Sequence, residues 1–148
     1  MNDDLRELLA SLKSHGVEFL VIGAHALGVH GRARMTEDLD LWAGRSRENA
    51  ERLRAALSDW GIQIGEQGTI AFADQDRQMI RIGVPPNMVD ILNFAGSVPF
   101  EEAYRRRIEA IVDGEPLPVV SREDLIDAKR IAGRPQDIAD LKRLGADR

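Results

Sequence analysis

The chain has no cysteine, which rules out disulfides and thiolate zinc sites. It also lacks a basic excess: 20 lysines and arginines against 25 acids leave a formal charge of −5, which argues against broad nucleic-acid binding. No apolar run is long enough to span a bilayer, and the acidic N-terminus is unlike a secretory signal. The expectation is therefore a cytoplasmic protein with no membrane partner. Several enzyme signatures are missing too. Gly28 and Gly31 are wrongly spaced for a phosphate loop or a GxGxxG turn, and no HExxH or serine-nucleophile elbow occurs. His25 and His30 are not helix neighbours and read as packing or capping residues rather than metal ligands.

What remains is an ordinary globular composition, 43% hydrophobic and 30% charged, over 148 residues. That length suits a single domain spanning residues 1–148. Leu5, Leu8, Leu9 and Leu12 recur at helical spacing behind a capping Asn2 or Asp3, and Gly16 ends the helix. Phe19 to Ile22 reads as a buried strand stopping at Gly23, and Ala24 to His30 as about two helical turns. A second strand runs through Leu39, Leu41 and Trp42, and Ser46 caps a helix reaching Trp60. Both tryptophans read as core. Ile70 to Phe72, Met79 to Ile82 and Met88 to Leu92 are short strand-like runs divided by polar or Pro-Pro turns. A helix over Phe100 to Arg107 leads into Ile108 to Val112, and Asp113-Gly114 turns the chain into Leu117 to Val120. Ser121 opens a helix ended by Gly133, Pro135 starts the last one and Gly145 ends it. The order predicts an α+β fold: a mixed sheet flanked by helices over roughly residues 1–120, with a small helical C-terminal lobe over 121–148.

Three acids stand out against that frame. Asp38 and Asp40 lie two apart in an apolar alternation, so a strand would present both carboxylates on one face while Leu39 and Leu41 enter the core. Such a pair suits Mg²⁺, a hard ion that takes carboxylate and phosphate oxygens. Asp90 sits alone inside a later apolar strand, a costly position unless its charge is paired or bound to a cation. Two ions held by the trio could clamp the attacking and leaving oxygens of a phosphoryl displacement. Upstream, a strand, Gly23 and a short helix would aim free N–H groups at a phosphate. With 14 aspartates in the chain, roughly one Asp-x-Asp is expected by chance, and a second one, Asp74-Gln75-Asp76, reads as a solvated loop. The plainer alternative for the trio is a set of solvated acids with Asp90 in a salt bridge.

Leu20-Val21-Ile22-Gly23-Ala24-His25-Ala26-Leu27, His30-Gly31 and Arg34-x-Thr36-x-Asp38-Leu39-Asp40-Leu41 together resemble the first motif of polymerase-β-type nucleotidyltransferases. Within that superfamily the chain is similar to the branch holding nucleotidyltransferase toxins of abortive-infection toxin–antitoxin systems. Asp124-Leu125-Ile126-x-x-Lys129, Gly133-Arg134-Pro135-x-Asp137-Ile138 and Asp140-Leu141 resemble that branch's closing motif. The resemblance implies transfer of a nucleotidyl group from a nucleoside triphosphate, with two Mg²⁺ ions or with Mn²⁺. Asp38, Asp40 and Asp90 would be the catalytic acids and metal ligands. Gly23, Ala24, Arg34, Thr36, Lys129, Arg134 and Asp137 would bind or order the nucleotide. The acceptor would be RNA, tRNA first, or a protein side chain, and a cognate antitoxin would be the partner.

Two departures bear on activity. Alanine stands at position 24 where the superfamily usually has glycine or serine, and Arg81 takes the place of a middle-strand lysine of the toxins. They keep two other readings open: a silent nucleotide-binding or protein-interaction module, and a phosphotransferase acting on the antitoxin. Lys129 and Arg134 likewise have a plainer alternative as surface cations paired with Asp127, Asp137 or Asp140.

Overall fold

The computed structural model describes residues 1–31, 38–84 and 87–146. Leu5, Leu8, Leu9 and Leu12 form the buried stripe of α1 (Asp3–Ser14), whose first turn is closed by the Asn2 side chain accepting from the Leu5 N–H at 2.9 Å. The next apolar run is β1 (Phe19–Ile22), followed without a loop by α2 (Gly23–His30). β2 (Leu39–Ala43) buries Leu39, Leu41, Trp42 and Ala43 and leaves only Asp40 partly exposed. Ser46 caps α3 (Arg47–Asp59), which packs between α1 and α4 (Gly65–Asp74). Then come β3 (Met79–Ile82), β4 (Val89–Leu92), α5 (Phe100–Arg105) and the hairpin of β5 (Ile108–Val112) and β6 (Glu115–Val119). α6 (Arg122–Ala132) and α7 (Pro135–Arg143) follow, separated by Gly133 in the left-handed conformation.

All six described strands join one sheet in the order β3-β4-β2-β1-β6-β5. β1 runs antiparallel to β2 and parallel to β6, while β2 runs parallel to β4. The α+β expectation, a mixed sheet flanked by helices, is the observed architecture. Asn49 and Asn93 are buried polar residues that join its parts. The Asn49 amide donates to Gly44 O and Glu18 O and accepts from Glu18 N, tying the start of β1 to the end of β2. The Asn93 amide donates to Phe72 O and Gln75 O and accepts from Gln78 N, fastening the end of α4 beside β4.

One expected element is different. Ile70 to Phe72 is not a strand but part of α4. Burial there falls on Thr69 and Phe72, three residues apart, and Ile70 faces outward at 42% exposure. Thr69 Oγ1 donates back to Gly65 O, which is helical geometry. An apolar triplet is too short to distinguish the two periods.

Candidate active site

A single row of side chains crosses four strands. The register pairs Ile22 with Asp40, Asp40 with Asp90, and Asp90 with Arg81. Residues paired across a ladder share a face, so Asp40, Asp90 and Arg81 stand side by side on one side of the sheet. Asp38 directly precedes β2, and its Oδ1 accepts from the Met88 N–H at 3.0 Å, which holds it beside the entry to β4. The sheet thus sets Asp40 and Asp90 side by side, with Asp38 at the entry to the same two strands.

Gly23 closes the row. Its φ is +68°, and a Cβ added there would lie 2.9 Å from both Cβ and Cγ of Asp40. Only glycine lets α2 start this close to that carboxylate. α2 begins at the same edge, and its N-cap residue Ile22 supplies no side-chain bond to its first turn. Ala24 contributes main chain here, its methyl being buried at 6% exposure. Burial pushes the His25 imidazole below its usual range, although Asp113 and a bond to the Asp38 main chain work against that. His25 is thus a packed residue beside the acid-bearing segment, in line with the packing or capping reading of its sequence position. His30 bonds to Val120 O through Nε2 at 2.7 Å, the packing role expected of it.

Asp38 and Asp40 carry the donor type a hard divalent ion takes, and the space a Cβ would need at Gly23 is filled by the Asp40 carboxylate. The expected three-acid group does not form: among the described residues no cluster of three acidic or histidine side chains is arranged to hold a metal. Arg81 instead holds Asp90. Its Nε and Nη2 donate to the two oxygens of Asp90 at 2.8 and 3.0 Å, a bidentate pair across the β3–β4 ladder. The bond to Asp90 raises the guanidinium pKa further, and the charges of Asp40 and Asp38 act in the same sense.

The C-terminal helices place their residues differently from expectation. Lys129 does not line an open cleft: it is buried, its ammonium 2.9 Å from Asp140 and 3.4 Å from Asp137, and both acids are 1% exposed. Arg134 is the cation at the surface, its side chain 72% exposed. Asp137 grips it through Nε at 2.7 Å, Nη2 at 3.2 Å and the main-chain N–H at 3.1 Å. The Asp137 bond raises the Arg134 pKa, and the charge of Asp40 adds to this. Lys129, Asp137 and Arg134 form a chain of contacts from core to surface that ends within the field of Asp40. Arg34 and Thr36 lie outside the described residues. Asp127 turns elsewhere, accepting from Ser97 N and Oγ.

Burial pushes the Asp137 carboxyl up, but the bonds from Arg134 and the nearby Lys129 outweigh it and hold the carboxyl below its usual range. An acid depressed in the folded state stabilises fully above its unfolded pKa of about 4 and loses that effect as pH falls through the folded value. Urea midpoints measured from about pH 6 down to about pH 2 are expected to fall more steeply for wild type than for Asp137→Asn. Parallel curves would show that Asp137 carries no such linkage.

The second Asp-x-Asp lies apart from this row, at the end of α4, and is paired rather than simply solvated. Asp74 meets Arg47 at 2.7 Å and Asp76 meets Arg45 at 2.8 Å, with Asp76 90% exposed. Replacing both acids with alanine is expected to leave nucleotidyl transfer within about twofold and to cost under about 1 kcal/mol per pair. A loss of transfer comparable to that of Asp40→Asn would relocate the site.

The sequence model of the nucleotidyl transferase AbiEii toxin, type IV toxin–antitoxin system, matches residues 5–146. No curated protein matches the chain significantly. Solved structures share the fold at low identity. ANT(2'')-Ia in complex with adenylyl-2''-tobramycin is 18% identical with a TM-score of 0.61, over 95% of this chain and 84% of that one. The lincosamide antibiotic adenylyltransferase LnuA is 14% identical with a TM-score of 0.59, over 100% and 98%. A putative nucleotidyltransferase from Thermotoga maritima is 16% identical with a TM-score of 0.58, over 97% and 91%. With its acid-bearing strands in register and its family motif spanning nearly the whole chain, the protein belongs to the nucleotidyl transferase AbiEii toxin family and is a nucleotidyltransferase.

Proposed function

We propose that the chain moves a nucleotidyl group from a nucleoside triphosphate to a hydroxyl of RNA, tRNA first among candidates, with a divalent ion on Asp38 and Asp40. The observation carrying this is the register of Asp40 with Asp90, together with Gly23 set against Asp40. When bound, Mg²⁺ or Mn²⁺ supplies charge neutralisation at the reacting phosphate. The chain's own groups do the rest. The start of α2 offers N–H donors to the phosphates, and Arg134, gripped by Asp137, offers a cation. Asp90 is the acid toward which the acceptor hydroxyl is presented. The family's toxin–antitoxin context supports an antitoxin as regulatory partner.

A second reading, nucleotide binding without turnover, draws on the buried Ala24 methyl, which leaves no hydroxyl where a serine could reach phosphate. Incubation with each labelled triphosphate, Mg²⁺ and total RNA separates the two. An aminoglycoside and a lincosamide serve as comparison acceptors, since the fold neighbours include enzymes of those antibiotics. Label on RNA supports the proposal; nucleotide binding with no labelled acceptor supports the second reading. Label on an antibiotic alone would replace RNA with a small-molecule acceptor.

A further inference from the structure

The sheet surface beside Asp90 continues past the acids. Side chains alternate along β4, so Leu92 stands on the same face as Asp90, opposite Met79 on β3. The ladder then runs one step beyond both strands, where the Asn93 N–H donates to Gln78 O at 3.0 Å. By the same count the next pair is Phe94 with Arg77. Their side chains do meet, the guanidinium lying 4.7 Å over the ring centroid. Asn93 points the opposite way, its amide donating to Phe72 O and Gln75 O at the end of α4. This strip is open: Met79 is 47% exposed, Arg77 is exposed, and Leu92 and Phe94 are half-buried. It is also built. The Arg77 backbone sits in the left-handed region at φ 57°, an uphill conformation for an arginine, and the Asn93 side chain braces that turn from Gln75 to Gln78. Arg45, Arg47 and Arg81 each hold a carboxylate, whereas among the described residues Arg77 makes no ion pair.

We infer that Phe94 and Arg77 form a stacking platform for a single-stranded end of the acceptor RNA. The ring backs the guanidinium, whose outer plane takes an unpaired base while its N–H groups reach the adjoining phosphate. The inference rests on the RNA reading above and adds how the acceptor is held. Charge favours a polyanion here, since Arg77 has no described carboxylate of its own, and Met79 with Leu92 carries the strip from the platform to Asp90. At the usual rise of a strand, Phe94 lies about 13 Å from Asp90, so the stacked base precedes the reacting hydroxyl in the acceptor's chain. A duplex stacks its own bases on one another, so the platform selects an unpaired end.

Fluorescence anisotropy of a labelled single-stranded RNA oligonucleotide, without metal or triphosphate, tests the platform apart from turnover. At about 50 mM salt, wild type is expected to bind the single strand about tenfold or more tighter than a blunt duplex of the same sequence. Arg77→Ala and Phe94→Ala are each expected to weaken single-strand binding by about tenfold or more. Arg77→Lys keeps the charge without the plane and should stay weakened severalfold. In transfer assays, Arg77→Ala should raise the RNA concentration needed for half-maximal rate and leave the triphosphate requirement within about twofold. Arg77 is exposed, so its variants decide the matter even if Phe94→Ala does not fold. Unchanged single-strand binding in Arg77→Ala overturns the inference. So does wild-type affinity in Arg77→Lys, equal binding of the duplex, or no binding by wild type. In each of those cases label transferred to RNA would leave the RNA reading standing. No label on RNA, with oligonucleotide binding lost in Arg77→Ala, would remove the transfer reading and keep the platform.

Discussion

Asparagine at position 40 is expected to lower nucleotidyl transfer by about three orders of magnitude, roughly 4 kcal/mol of transition-state stabilisation, with the fold retained. Asp40 is the central member of the row. Gly23 lies against it on one side and Asp90 is its ladder partner on the other. The substitution keeps the side-chain shape but removes an anionic ligand and one of three neighbouring negative charges. The same change removes an attraction toward Arg81 and Arg134, so its effect on stability is read separately from its effect on chemistry. Transfer and melting temperature, measured on one preparation, separate chemistry from folding. A loss below about tenfold would show that the reacting phosphate lies elsewhere.

Methionine in place of Lys129 is expected to cost about 3–5 kcal/mol of folding stability, the usual result of removing one partner from a buried ion pair. Two carboxylates, Asp137 and Asp140, would be left in the core without their common cation. Arg134→Ala should behave in the opposite way. Its side chain is mostly exposed and Lys129 still faces Asp137, so stability should fall by less than for Lys129→Met, while the triphosphate concentration needed for half-maximal transfer rises about tenfold or more. Urea unfolding and initial rates on the two variants give the comparison. If Lys129→Met keeps wild-type stability and alone raises the triphosphate requirement, Lys129 binds nucleotide and the sequence expectation returns.

The pattern of apolar alternation was enough to locate the acids. Leu39 and Leu41 place Asp38 and Asp40 as a pair, and the run around Asp90 marks a buried strand whatever its neighbours are. Capping chemistry located helices equally well, at Asn2, Ser46 and Ser121. Ladder order is another matter. That Arg81 would face Asp90 depends on the alignment of β3 with β4, and no residue type encodes that offset. The burial of Lys129, though not its pairing with Asp137 and Asp140, was hidden for a similar reason. A lysine at mid-helix usually reaches solvent, and only the packing of α7 on α6 surrounds it with two acids. The α4 segment failed because three apolar residues fit either period.

The order of the sheet also bears on how the chain acquires its activity. β1 pairs with β6 at Val21 and Val119, nearly a hundred residues apart, although β1 carries the turn that supports Asp40. During synthesis on the ribosome, that edge of β1 stays unpaired until most of the chain has emerged. Arg134 and its buried support arrive later still. A nascent or truncated chain therefore carries the acids without a closed sheet or the C-terminal cation, and pairings at such sequence distance are slow to form. For a member of a toxin family, the topology delays the appearance of activity until synthesis is nearly finished.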